Sequence, residues 1–311
     1  MKRQAAFASS GKMLKGALHC HTTRSDGKGE VSEVIRLHKK NGYDFMAVTD
    51  HRLYNYDNFG EEDITIIPGM EMDGNFPRVH KAVHCHHIVC IGPRKEDGNV
   101  YEQDQRFERW VLEKPEDTQA HLDELHNDQQ MTIYAHPQWS GTPVREFDML
   151  RGNFAMEIWN SGCSIENGLD NNAAYWDELL AQGQKIFGVA TDDGHDMSHH
   201  CNGWVRVNAE NNVPAILDAL KNGAFYASCG PEIHDFYVEN GRAFVKCSPV
   251  KEIQFINLRA PYPIARAKAG ETIGEASASV RMGNYIRAVV MDEQGRRAWT
   301  NPIFLEAEDV K

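Results

Sequence analysis

His19-Cys20-His21 closes a short apolar run, Met13 to Leu18, and Arg24-Ser25-Asp26 stands in the loop that follows. Side chains alternate along a strand, so His19 and His21 share a face while Cys20 takes the other. Two imidazoles converging at a strand end, backed by a carboxylate, are the beginning of a divalent-metal site. A single His-x-His is a common accident, but here the same chemistry recurs. Asp44 to Thr49 runs into Asp50-His51, Ile64 to Met70 runs into Glu71, and Ala82 to Ile91 carries His84, His86 and His87. Met131 to Ala135 ends at His136-Pro137, and Lys185 to Thr191 ends at Asp192-Asp193-Gly194-His195.

Donors so far apart in sequence need elements that gather them. Buried apolar runs separated by helical segments predict a mostly parallel sheet covered by helices. In a closed α/β barrel the strand C-termini meet at one face, where sites are built. Glu30 to Lys40 places Val31, Val34, Ile35 and His38 at helical spacing, with Asn41-Gly42 as a stop. Asp117 to Asp128, Glu146 to Arg151, Leu169 to Ala181 and Val213 to Asn222 read as further helices. Seven apolar strands are expected, Ala155 to Trp159 being the sixth. Between Glu71 and Ala82 there is no helix, although a parallel crossover needs about a dozen residues. That piece reads as a hairpin-like excursion that distorts the barrel.

With these residues in view the chain resembles the PHP (polymerase and histidinol phosphatase) superfamily. The matching pieces are His19-Cys20-His21-Thr22, Ser25-Asp26-Gly27, Thr49-Asp50-His51, Gly69-Met70-Glu71, His87-Ile88-Val89, Ala135-His136-Pro137 and Asp193-Gly194-His195. The resemblance implies a distorted seven-stranded (β/α) barrel binding two or three divalent ions of zinc, manganese or iron. Carried over residue by residue, the metal ligands would be His19, His21, Asp26, His51, Glu71, His87, His136, Asp193 and His195. Several family members have a histidine where Asp26 stands. An aspartate there is similar to the subgroup of small nucleotide and phosphodiester hydrolases.

Two positions carry rivals. The family's His followed by an apolar pair selects His87, with His86 one residue out of register as the alternative. Asp-x-His spacing selects Asp193 over Asp192, which reads as a hydrogen-bonding neighbour. His80, His84, His199 and His200 read as loop or solvated residues, and His121, His126 and His234 as structural.

Composition bounds the rest. A chain of 311 residues can bury a barrel core and still supply a smaller unit. We expect a barrel over 1–227 and a small β-rich, sandwich-like domain over 228–311. The short β-like pieces Ile233 to Val238, Ala243 to Cys247, Glu252 to Leu258, Ser279 to Met282 and Tyr285 to Met291 carry that second expectation. Glu239-Asn240-Gly241 and Asp292 to Gly295 read as hairpin turns. Phe225 to Pro231 and Trp299 to Ile303 resemble segments of a superfamily branch that includes carbamate hydrolases similar to carbaryl hydrolase. Seven cysteines without a close pair, no secretory h-region and no membrane-length apolar run suit a cytoplasmic protein. A formal net charge of −12 with no basic stripe argues against duplex nucleic acid as a partner, but leaves a small anionic substrate open.

The implied chemistry is hydrolysis of a small phosphomonoester or phosphodiester, a nucleotide included, through a metal-bridging hydroxide. Glu71, with two oxygens to share, would bridge, and Asp193 or His195 would handle the leaving-group proton. Arg24 and Arg52 fit phosphate clamps, Trp139 a stacking surface, and Asn160 a hydrogen bond to substrate or to a nearby water. Two other classes stay open. One is a carboxylic ester, carbamate or amide hydrolase on the same scaffold; the other is a non-catalytic binding module.

Overall fold

The computed structural model describes residues 3–7, 12–77, 83–169, 172–257, 260–280 and 283–305. The first part of the chain forms β1 (Gln4–Ala5), β2 (Met13–Ala17), α1 (Val31–Lys40), β3 (Phe45–Met46), β4 (Thr65–Ile66), β5 (Gly69–Asn75) and β6 (Cys85–Ile91). It continues through β7 (Trp110–Val111), α2 (Asp117–Asn127), β8 (Met131–Tyr134), β9 (Ala155–Asn160), α3 (Ser161–Asn167) and α4 (Asn172–Ala181). β10 (Phe187–Thr191), β11 (Trp204–Asn208), α5 (Val213–Lys221) and β12 (Phe225–Ser228) follow. The remainder is all strand: β13 (Ile233–Glu239), β14 (Arg242–Val250), β15 (Glu252–Asn257), β16 (Ala260–Arg266), β17 (Ile273–Ser279), β18 (Tyr285–Met291), β19 (Arg297–Thr300) and β20 (Ile303–Phe304).

The architecture is mixed α/β with a β-rich C-terminal part, but the expected closed barrel is not one continuous ladder. Among the described residues the strands fall into sheets ordered β10-β9-β8-β6-β5-β7, β16-β15-β18-β19-β12-β11-β2-β3-β4, and β1-β13-β14-β17. Where the first two meet there is no ladder but isolated bridges, among them Cys20 with Gly194, His51 with Glu71 and Asn55 with Gly69. The physical reason lies in the ligand segments themselves. They leave strand geometry where the strands would have to pair, and Asp193 (φ 48°) takes left-handed backbone just after β10, beside the Cys20–Gly194 bridge.

β5 and β6 form the anticipated hairpin, with Gly69 opposite Ile91 and Asn75 opposite Cys85, and β6 then pairs antiparallel with β8. The other pairings around the site, β2 with β3, β8 with β9 and β9 with β10, are parallel. Helix α1 ends where expected: the Asn41 amide N–H bonds back to the Leu37 and His38 carbonyls, and Gly42 (φ 75°) takes the left-handed turn. Helix α5 starts at Asn212, whose side-chain oxygen accepts the Ala215 N–H at 3.0 Å.

Two element expectations fail. Glu146 to Arg151 is not a helix; a single 3-10 turn, Val144–Glu146, stands there instead, too short to cover a sheet. Ser279 to Met282 is not a strand of its own, since β17 ends at Ser279, and residues 281–282 lie outside the described ones. The small residues of 273–279 pair along β14, Ala278 facing Ala243 and Ala276 facing Val245. Helix α3, unforeseen, is capped by Asn160, whose side chain accepts the Cys163 N–H at 2.9 Å.

Three buried layers hold the site. Leu14, Leu18, Phe45, Val89, Ile133 and Val189 fill the space between the parallel strands and α5. Met70, Ile88, Tyr134, Met156 and Trp176 pack on the other side of the same strands. Phe236, Val245, Phe255, Ala288 and Val290 form the core of the β-rich C-terminal part. Two pairings cross the expected boundary at 227/228: β12 with β19, and β1 with β13.

Candidate metal centre

Glu71 is the hub. It is fully buried, and its Oε1 lies 3.0 Å from His87 Nδ1, 3.4 Å from His19 Nε2 and 3.4 Å from His136 Nε2. Its Oε2 lies 3.0 Å from His51 Nδ1 and 3.3 Å from His21 Nε2. Asp193 faces the same point from the end of β10, with Oδ1 3.0 Å from His21 Nε2 and 3.4 Å from His19 Nε2. Asp26 joins from the loop after β2, within 3.5 Å of His51 Nε2 and 3.4 Å of His195 Nε2. All nine residues expected as ligands therefore converge.

Three groups of donor atoms lie close enough together to share an ion: His19, His21 and Asp193; His21, Asp26, His51 and His195; His51, Glu71 and His87. Donors on one tetrahedral ion at about 2.0–2.2 Å sit roughly 3.3 Å apart, which is the spacing seen. The donor set fits divalent metal on a second count. Among the described residues His51 Nδ1 and Glu71 Oε2 are buried and, although 3.0 Å apart, make no well-formed hydrogen bond, a costly state unless a cation meets them.

Charge says the same. Burial alone would raise the Glu71 carboxyl, but His51, His19 and His87 hold it well below the usual range. Burial would likewise raise Asp193, and His19, His21 and His136 hold it well below. Burial would lower His19, but Asp193, Glu71 and Glu157 hold it well above an ordinary imidazole. The cluster keeps its carboxylates ionised and draws positive charge to their midpoint.

Around the donors stand residues that fix their orientation. Glu157 Oε1 lies 2.6 Å from His19 Nδ1 and accepts from Thr191 Oγ1 at 2.7 Å, and its Oε2 accepts the His136 N–H at 3.0 Å. Asp50 accepts Thr22 N–H at 2.8 Å, Thr22 Oγ1 at 2.7 Å and Ser25 Oγ at 2.6 Å, closing the loop that carries Asp26. Sequence reading missed both roles. The available signal was a carboxylate in the middle of an apolar strand (Glu157) or directly before a ligand (Asp50).

His86 lies outside the group: it is buried, with Nδ1 2.8 Å from Thr118 Oγ1, so the register chosen for His87 is the one that reaches Glu71. His84 is half-buried against Glu146 at 2.6 Å, and His80 lies outside the described residues. His199 and His200 are not solvated; the loop after β10 folds inward and leaves them 6% and 5% exposed.

A cavity of about 510 Å³ opens over Asp26, His51 and His87, walled by Arg24, Arg52, Arg106, Arg109 and Trp139. Arg24 is held by Asn55 at 2.9 Å and by Asp104, and Arg52 by Asp73. Arg109 Nε also reaches Asp73, at 2.5 Å. Arg106 has no ion pair among the described residues. Trp139 packs edge-on against His87 and His136 while facing this cavity. Asn160 does not line it. Its amide is fully buried and donates to Glu157 Oε2 at 2.8 Å and Asp193 Oδ2 at 3.1 Å, so its expected substrate contact is replaced by a ligand-positioning one.

Residues 17–158 match the PHP domain family model. A stretch of 41 residues is 46% identical to DNA polymerase/3'-5' exonuclease PolX of Bacillus subtilis (strain 168), covering 13% of this chain and 7% of that protein. The chain thus spans a small fraction of that curated relative. A two-domain protein of Bacteroides vulgatus ATCC 8482, described as containing a PHP-like metal-dependent phosphoesterase, aligns over 98% of this chain and 90% of its own at 12% identity, TM-score 0.48. An amidohydrolase from Chromobacterium violaceum, solved with bound sulfate, aligns over 58% of this chain and 88% of its own at 15% identity, TM-score 0.40. Among the described residues no helix is long and apolar enough to cross a membrane.

Proposed function

We propose that the chain is a metal-dependent hydrolase of cytoplasmic small phosphoesters, monoesters or diesters, with nucleotides among the candidate substrates. The observation that carries this reading is a floor of imidazole and carboxylate donors opening into a cavity with four arginines on its wall. An apolar rim would favour a carbonyl ester; a guanidinium rim favours phosphate, which it can bind through paired N–H donors. The seven strands, joined at two seams by isolated bridges, are read as a distorted barrel over 1–227, with 228–311 as the β-rich unit.

Two or three divalent ions held by the nine donors would supply activated water and neutralise charge on the phosphoryl oxygens. This chain's own residues do the rest. Glu71 presents one oxygen to His87 and His136 and the other to His51 and His21, as a bridging carboxylate must. Arg106 and Arg52 orient the phosphate, and Trp139 offers a face to the leaving group. His195, about one-third exposed at the cluster's edge, is assigned to hold and move the leaving-group proton, with the ionised Asp193 beside it.

The test is initial rates of the manganese-reconstituted protein on p-nitrophenyl phosphate and p-nitrophenyl acetate, beside a His136→Ala control. Phosphate turnover lost in the control is the expected result. Acetate turnover alone, lost in the control, would move the assignment to ester and carbamate hydrolysis. Silence on both substrates with metal bound would overturn the catalytic reading in favour of a binding module.

A further inference from the structure

Below the central cluster, and sharing no residue with its three donor groups, lies another set: His38 on α1, Asp192 at the end of β10, and His200 in the loop beyond. All three are buried, and their donor atoms lie within 4.8 Å of one another. His38 Nε2 is 3.6 Å from Asp192 Oδ2.

The protonation states follow from the surroundings. His38 Nδ1 lies 2.8 Å from the Val34 carbonyl, which can only accept, so Nδ1 carries the hydrogen. A neutral ring then leaves a bare lone pair on Nε2, and that atom has no hydrogen-bond partner among the described residues. Among the described residues Asp192 Oδ1 accepts from Ser161 Oγ (3.0 Å), Asn202 N (2.9 Å) and Gly203 N (2.8 Å), whereas Oδ2 accepts only from Cys201 N (2.7 Å). One lone-pair direction of Oδ2 therefore remains for a cation. His200 Nδ1 is a second buried nitrogen without a partner. The Lys15 ammonium, which feels the Asp192 charge, is engaged elsewhere: it sits 4.1 Å over each of the Tyr43 and Trp204 rings and 3.2 Å from the Asn41 carbonyl.

We propose that His38, Asp192 and His200 form a second, separate divalent-metal site of zinc type that ties α1 to the loop leaving β10. Two imidazoles and one carboxylate are a zinc ligand set, and an imidazole whose other nitrogen donates to a backbone carbonyl is the usual form of such a ligand. A proton on His38 would satisfy one orphan nitrogen and leave His200 Nδ1 as it is; one ion satisfies both and takes up the open Oδ2 position. The consequence is mechanical. Asp192 precedes Asp193, and the clamped loop follows His195, so this ion holds in place two donors of the central cluster without touching the cavity above them.

The experiment uses the full chain, stripped with chelator and reloaded with zinc chloride alone. Crystals measured on either side of the zinc absorption edge should show an anomalous peak between His38, Asp192 and His200, about 2.0–2.2 Å from each donor. His38→Gln and His200→Gln, which keep a polar side chain at each position, should each bind one zinc fewer per chain by mass spectrometry with the circular dichroism spectrum unchanged. Peaks in the central cluster with none here, or an undiminished zinc count in both variants, would overturn the proposal. A peak here with none in the centre would leave it standing and remove the central reading instead. The map is taken on the unaltered protein, so it decides the matter even if both variants fail to fold.

Discussion

Glu157 Oε1 and His19 Nδ1 meet at 2.6 Å, and both side chains are fully buried. The carboxylate fixes the hydrogen on Nδ1 and turns Nε2 toward Glu71 and Asp193. The same carboxylate holds the His136 backbone through its other oxygen, so one strand residue orients two expected ligands.

Glu157→Gln should therefore reduce metal affinity by about 10–100-fold, the usual cost of losing the partner behind a ligand. The amide keeps the volume but must turn its NH₂ toward groups that donate. Competitive chelator titration reads the loss. An affinity equal to that of the parent chain would mean that His19 does not need its tautomer fixed.

Gly27 lies where the loop between β2 and α1 folds back on itself. Its N–H bonds to the Thr22 carbonyl at 3.0 Å, and a Cβ there would stand 2.6 Å from the His21 carbonyl carbon and 2.7 Å from Thr22 N. Backbone cannot yield as a side-chain tip does. Gly27→Ala should push the Asp26 loop away from His21 and lower kcat at least tenfold, while most of the other donors keep their places. Restoration of the rate by excess metal would be consistent with a displaced Asp26; an unchanged rate without added metal would exclude the clash.

The expected ligands were legible in the sequence because most of them stand in or just after an apolar run, where alternation and topology dictate which side chains meet. Glu71 and His87 lie within β5 and β6, and His136, Asp193 and His195 follow the ends of β8 and β10. What was hidden depends on packing of distant segments. Arg106 and Arg109 sit in a stretch without periodicity and reach the cavity only because the Leu53–Arg106 bridge folds it over the site. His200 looked like a polar-loop residue, and only the capture of three successive N–H groups by Asp192 brings that loop inward. The β5–β6 hairpin was readable from the missing helix, but the open seams of the sheet were not, since no local pattern records where a ladder fails.

Arg106 separates phosphate from carbonyl chemistry. A charged hydrogen bond is worth about 1.5–3 kcal/mol, so Arg106→Ala should raise KM for a phosphate ester roughly 10–100-fold. Hydrolysis of p-nitrophenyl acetate, if any, should change little. Equal effects on both substrates would show that Arg106 supports the wall rather than the phosphate. Arg109→Ala is the companion measurement. It removes one of two guanidinium groups on Asp73, so a weaker effect is expected, with Arg52 still held.

The last prediction concerns how the β-rich part is fastened to the rest. Arg287 on β18 is fully buried, and it donates from Nε at 2.8 Å and from a terminal nitrogen at 2.6 Å to the two oxygens of Asp177 on α4. Tyr285 adds a bond to the same carboxylate at 3.1 Å, and the guanidinium lies 4.7 Å over the Trp176 ring. Removing one member leaves a buried charge unpaired, which costs about 3–5 kcal/mol, whereas replacing both by apolar groups of similar volume is often neutral. Arg287→Ala should shift the urea midpoint strongly downward, and Asp177→Leu with Arg287→Met should recover most of the loss. If the double replacement is as unstable as the single one, the pair does more than satisfy itself, and the Tyr285 bond becomes the next contact to remove.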